Sequence, residues 1–139
     1  MKKICLLITC IFIMQFSFCQ SNNTNEITWD GGDVKILVLN GKTGAVIIDT
    51  PEGREATVSY DNYYKTLHIL YKSERGLVIW TLKYQRSEND YLLYYQEDGS
   101  VVYKVFNSIS KDGILLLQYA KSNSDNDLCF IKVYGLKKT

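Results

Sequence analysis

The chain of 139 residues has few prolines, histidines and cysteines, and each scarcity excludes a class of structure. Because His68 is its one histidine, a multi-histidine metal site cannot be built. Three of the four cysteines lie within the first nineteen residues, which leaves Cys129 as the one cysteine of the remainder. An internal disulfide is therefore not expected, and the fold has to be stabilised by packing.

Sequence motifs for catalysis and cofactor binding are also missing. Gly41-Lys42-Thr43 resembles the end of a phosphate-binding loop, but Ile36 stands where that loop needs its first glycine. The Gly-x-Ser-x-Gly pattern of serine hydrolases does not occur. We therefore predict that the protein is not an enzyme and that it binds neither a cofactor nor a metal ion.

The first nineteen residues have the pattern of a secretion signal. Lys2 and Lys3 precede an apolar run from Ile4 to Met14, and small residues at positions 17 and 19 suit a cleavage site. The run is shorter than the roughly 20 apolar residues that a membrane-spanning helix needs. We predict a signal peptide at 1–19, a polar linker at 20–26 and a single domain at 27–139.

Cys19 offers an alternative to release, because it resembles the lipid-modified cysteine of bacterial lipoproteins. Phe18 favours simple cleavage, since the residue before a lipidated cysteine is normally small. In both cases the expected location is outside the cytoplasm, either secreted or in the periplasm or cell envelope. Contact with a membrane is expected only through lipidation of Cys19.

Charge gives no indication of a nucleic-acid partner. Without residues 1–19 the chain has 14 basic and 15 acidic residues, a formal net charge of −1. These charges are scattered along the sequence, and no basic patch is evident.

The remaining 120 residues consist of short apolar and β-branched runs separated by turn residues, which predicts an all-β fold. Because the connections are short, neighbouring strands should pair antiparallel as a meander of nine or ten strands. We expect this meander to form a small barrel, with a two-sheet sandwich as the alternative. The predicted strands are Val34–Leu39, Ala45–Asp49, Glu55–Tyr60, Thr66–Tyr71, Leu77–Tyr84, Tyr91–Gln96, Val101–Phe106, Ile114–Tyr119 and Leu128–Tyr134, with Ile27–Trp29 as a tenth candidate.

One hairpin can be registered from its turn. If Asp98-Gly99 form the centre of a type I′ turn, Tyr94 lies opposite Tyr103. Both faces of this hairpin are then apolar or aromatic, which indicates burial on two sides or a surface built from tyrosine.

The aromatic content, with eleven tyrosines and two tryptophans, suggests either packing or a recognition surface. Trp80 is the expected core anchor. The candidate ligand-binding aromatics are Trp29, Tyr63, Tyr64, Tyr91 and Tyr95.

These observations favour a non-catalytic β-domain that binds a glycan, a lipophile or a protein at the cell exterior. A structural or envelope-associated protein without a small-molecule ligand is the alternative. Binding predicts an internal hollow or an exposed aromatic patch, whereas a structural role predicts an unpaired edge strand.

Overall fold

The computed structural model of the protein describes residues 26–106, 109–119 and 127–139. The predicted signal peptide, Cys19 and linker residues 20–25 lie outside these ranges. The described residues form nine strands and no helix: β1 (Glu26–Asn40), β2 (Val46–Asp61), β3 (Thr66–Ser73), β4 (Gly76–Ser87), β5 (Leu92–Gln96), β6 (Val102–Phe106), β7 (Leu115–Tyr119), β8 (Asp127–Tyr134) and β9 (Lys137–Lys138).

The strands form one closed sheet. Each strand from β1 to β7 pairs antiparallel with the next one along the chain. β1 also pairs with β8, so that Ile36 lies between Thr50 and Ile131. The fold is thus an eight-stranded antiparallel barrel with β9 added beside the start of β1. The predicted all-β meander and barrel are confirmed, and the two-sheet alternative is wrong.

The two ends of the barrel carry different connections between strands. The proximal end is where β1 begins, and it carries the β2–β3, β4–β5 and β6–β7 connections together with β9. The distal end carries the β1–β2, β3–β4 and β5–β6 turns.

β1 and β2 are longer than the sequence predicts. β1 continues through the glycines between Ile27–Trp29 and Val34–Leu39. β2 continues through Pro51-Glu52-Gly53, whereas the sequence predicts a break between the strands Ala45–Asp49 and Glu55–Tyr60, and that prediction is wrong. Among the described residues, positions 46–52 of β2 pair with β1 alone, and a strand edge of this kind tolerates proline. The barrel consequently has eight strands, and β9 was not predicted.

The β5–β6 hairpin has the predicted register, with Tyr94 opposite Tyr103 and Leu92 opposite Val105. Its turn differs from the prediction, because Gly99 has a positive φ of 70° and Asp98 does not. The Gly99 N–H donates to the Gln96 carbonyl at 2.8 Å, so the turn is not type I′.

Side-chain alternation along the strands separates the barrel interior from its outer wall. In β3, for example, Leu67, Ile69 and Tyr71 are buried inside, whereas His68 lies on the outer wall within 3.2 Å of the Thr81 hydroxyl. Both faces of the β5–β6 hairpin are apolar, and the face that carries Tyr94 and Tyr103 is the one that points into the barrel. The core is formed by Val34, Ala56, Val58, Leu67, Ile69, Tyr71, Leu82, Tyr94, Tyr103, Val105, Leu115, Leu117, Ile131, Val133 and Leu136.

Aromatic rings fill the distal half of the interior. Trp80 contacts Tyr71 and Tyr103, with ring centroids 5.4 Å and 6.3 Å away, and Tyr103 contacts Tyr119 at 5.0 Å. Gly53 faces this cluster, and a Cβ at that position would overlap the Tyr71 ring. Trp80 is half-buried and packs against the core, as expected for an anchor.

Burial also alters the acidity of the hydroxyls in this cluster. Removal from water, together with the nearby Glu52 carboxylate, raises the pKa of Tyr71 to about 12. Burial likewise raises the pKa of Tyr103, and the neighbouring Tyr119 adds to this shift. The rings are therefore neutral hydrogen-bond donors over the physiological pH range.

We expect the free energy of unfolding to decrease as the pH rises from about 10 towards about 12. An unfolded tyrosine loses its proton near pH 10, whereas Tyr71 keeps its proton to about pH 12 in the barrel. In this window the unfolded state binds fewer protons than the folded state, so alkali favours unfolding. Denaturant unfolding of wild type and Tyr71→Phe at several pH values measures the effect. The variant should show a shallower decline, and an identical decline would contradict this account.

Candidate functional site

A partly enclosed cavity of about 370 Å³ occupies the proximal end of the barrel. Its walls come from the beginnings and ends of strands that are distant in sequence but meet at this end of the sheet. The lining residues are Ile27, Trp29, Tyr60, Leu67, Leu92, Tyr94, Val105, Ile109 and Leu115.

The cavity lies in the half of the barrel whose lining is mostly aliphatic, with the rings of Trp29, Tyr60 and Tyr94 forming the rest of its walls. An eight-stranded barrel has an interior that side chains can just fill, or that can hold one small ligand. The distal half contains the four-ring cluster around Trp80, whereas the proximal half is bounded mainly by leucine, isoleucine and valine. The space that aromatic side chains occupy at one end is open at the other.

Three side chains in the lining carry polar atoms: Trp29, Tyr60 and Tyr94. Burial raises the pKa of Tyr94, and its interaction with the Tyr60 hydroxyl adds to this shift. Tyr94 therefore stays neutral over the physiological pH range.

Two further predicted site residues stand beside this cavity, in the turn that follows Tyr60. The Asp61 carboxylate accepts the backbone N–H groups of Tyr63 and Tyr64 at 2.8 Å and 3.0 Å, which shapes the turn. The two rings meet edge to face with centroids 4.8 Å apart, and their side chains are 75% and 71% exposed. They are large apolar groups at the proximal end that no described residue covers.

Tyr91 and Tyr95, the other predicted aromatics, do not line the cavity. Tyr91 packs on the outer wall against Phe106, with ring centroids 5.7 Å apart, and the Lys104 amine lies over its ring at 5.0 Å. Tyr95 faces the same outer side, opposite Val102. The structure thus brings together Trp29, Tyr63 and Tyr64 at one end and separates them from the remaining two.

Most residues of the cavity lining, including Tyr60 and Tyr94, were not among the site residues predicted from the sequence. The registered β5–β6 hairpin did place Leu92, Tyr94 and Val105 on one face, which was a usable signal. It could not show that this face points into the barrel, because the opposite face is equally apolar.

A second cleft of about 980 Å³ lies where β2 separates from the β3–β4 turn at the distal end. Its lining includes several charged side chains, among them Glu52, Arg54 and Glu74, and Lys72 there is paired with Glu55. It is wider and more open than the proximal cavity. A small ligand would keep much of its surface in water there, so we regard the proximal cavity as the candidate site.

A metal site and a membrane-spanning helix are both absent from residues 26–106, 109–119 and 127–139. These ranges contain no group of three histidine, cysteine or acidic side chains arranged to hold a metal ion. They also contain no helix with the length and apolar character needed to cross a bilayer. Comparisons with protein-family models, curated proteins and solved structures found no match to this chain.

The cavity predicts an asymmetry in how the core tolerates added volume. Val105 and Val133 are both almost fully buried, but only Val105 lines the cavity. We expect Val133→Phe to destabilise the protein by about 1–3 kcal/mol through overpacking, and Val105→Phe to cost less than about 1 kcal/mol. Denaturant unfolding of both variants tests this expectation. Equal losses would mean that the proximal space is not available to a side chain.

Proposed function

We propose that this protein is an exported, non-catalytic binding protein that holds a small and mainly apolar ligand in the proximal cavity. The observation that supports this function is the hollow itself, with aliphatic and aromatic walls and few polar groups. Burying apolar ligand surface there would yield roughly 25 cal/mol per Å² before the cost of association.

The size and chemistry of the lining favour a lipophile among the ligand classes considered. Pockets for small molecules span about 300–1,000 Å³, and this cavity of about 370 Å³ lies near the lower limit. A glycan presents many hydroxyl groups, each of which needs a partner when buried. The hydroxyls of Tyr60 and Tyr94 and the indole N–H of Trp29 are too few for that purpose.

We also propose that the protein is exported, on the basis of residues 1–19. Their charged start, apolar run and small residues before a polar segment favour removal by signal peptidase, with lipidation of Cys19 as the alternative. A small lipophile is sparingly soluble in water, so a secreted or envelope-attached carrier is a chemically sensible place for such a cavity.

The two tryptophans allow a direct test, because Trp29 lines the cavity and Trp80 lies in the distal ring cluster. The hydrophobic probe N-phenyl-1-naphthylamine should bind saturably to wild type and change its tryptophan fluorescence. Trp80→Phe leaves Trp29 as the reporter and should retain the change in tryptophan emission. Trp29→Phe leaves Trp80 and should lose most of it.

The opposite pattern, with the response following Trp80, would place binding elsewhere on the molecule. A flat titration with probe and with a panel of small lipophiles would contradict the proposed function. Circular dichroism of both variants is the control that the barrel remains folded.

A specific observation supports the structural alternative as a second candidate. Among the described residues, β2 positions 46–52 pair with β1 only, which leaves one backbone edge without a strand partner. Val46, Ile47 and Ile48 on this segment are 61%, 50% and 43% exposed. Exposed apolar edge strands are ready to pair with another strand, and natural proteins usually protect them.

The occupant that this edge fits best is a second copy of the same strand. Antiparallel pairing about a twofold axis at Ile48 would place Ile48 opposite its copy and Ile47 opposite Asp49. No like charges would then face each other, because Asp49 would lie opposite Ile47. Within its own chain the Asp49 carboxylate is also paired with Lys35 at 2.8 Å. Such a contact is self-complementary, as a twofold interface requires.

If this second candidate is correct, the exported protein should be a dimer by light scattering coupled to gel filtration. Ile47→Lys should make it monomeric, because a charged side chain on an edge strand opposes edge-to-edge pairing. Tyr64→Lys makes the same kind of change at an even more exposed hydrophobic residue at the other end of the barrel, and this variant should remain dimeric. A wild-type monomer at high concentration would exclude this candidate.

A further inference from the structure

A lysine of β9 lies at the proximal end of the barrel, opposite a residue that lines the cavity. Trp29 of β1 is opposed by Lys138 of β9, and opposed residues of an antiparallel pair project from the same face. Trp29 lines the cavity, so Lys138 projects on the cavity side of the sheet. The neighbouring pair, Asp30 and Lys137, projects from the other face.

A second cation lies at the same end. Lys65, in the β2–β3 turn, holds its amine 5.3 Å from the centroid of the Tyr84 ring. Tyr84 in turn packs edge to face on Tyr94, which lines the cavity, with centroids 5.7 Å apart. Lys65 is therefore connected to the cavity wall through two aromatic rings.

The strand carboxylates of this end point away from the cavity. Glu26 opposes Asp61 across β1 and β2, and alternation places Glu26 and Asp30 on the face opposite to Ile27 and Trp29. The Asp61 carboxylate is already occupied by two backbone N–H groups. Three other acidic side chains lie in exposed loops at this end: Asp90, Asp112 and Glu88. Of these, Glu88 is paired with Arg86.

We propose that the ligand of the proximal cavity is an anionic amphiphile: an apolar chain or ring that ends in a carboxylate. This inference rests on the proposed function and names the class of its ligand. The apolar part fills the space between the aliphatic walls and Trp29, and the carboxylate stays at the rim, where Lys138 and Lys65 supply positive charge.

This arrangement avoids the main energetic penalty of binding an anion. A carboxylate buried without partners in an apolar cavity would lose its hydration at high cost. At the rim it remains partly hydrated while the lysines attract it, a modest interaction that salt should weaken. The lysines thus contribute selectivity, and the apolar walls contribute most of the affinity.

The test compares octanoate with octan-1-ol, which have the same chain length and differ in the charge of the head group. Both are titrated into Trp80→Phe, in which Trp29 is the reporter, at low ionic strength and near neutral pH. In this background, Lys138→Gln should weaken octanoate binding by about two- to five-fold and leave octan-1-ol binding unchanged. Addition of Lys65→Asn, which keeps a residue that tolerates positive φ, should bring the loss to about ten-fold.

Lys137→Gln is the matched control, because it removes the same charge from the neighbouring residue on the opposite face. It should leave octanoate binding unchanged. Equal effects of Lys137→Gln and Lys138→Gln, or no effect of either, would overturn the inference while saturable binding of octan-1-ol still supported the proposed function. Failure of both ligands to bind would overturn the two proposals together.

Discussion

The structure depends on the pairing of β1, the first strand, with β8, the last strand of the barrel. β1 joins β2 on one side and β8 on the other, and this double pairing turns a meander into a closed wall. Closure satisfies backbone groups that an open sheet would leave exposed, and it creates an interior without a disulfide among the described residues. Where β2 extends beyond the wall at residues 46–52, that benefit ends, and the exposed edge appears.

The interior is divided by the size of its side chains. Tyrosine and tryptophan rings fill the distal half and make it a packed core. Smaller aliphatic groups bound the proximal half and leave the cavity. The packed core and the open cavity thus lie at opposite ends of one barrel, so a change at the Trp29 end need not disturb the packing around Trp80.

Much of the fold could be predicted from the sequence, because period-two alternation and short turns depend on neighbouring residues. The register of Tyr94 against Tyr103 followed from such local information. The continuation of β2 through Pro51 did not, since it depends on β1 lying alongside. The inner or outer position of Tyr91 and Tyr60 was equally inaccessible, because it is decided by which face of an apolar ribbon turns inward when the sheet closes.

The pairing of Trp29 with Lys138 also has a consequence for the order of folding. These residues are separated by more than a hundred positions in the chain, yet they stand side by side at the cavity mouth. Contacts of such long sequence separation carry a large entropic cost and tend to form late. A partly folded chain would then lack the mouth altogether, and a ligand that binds only the closed form would shift the equilibrium towards the finished barrel.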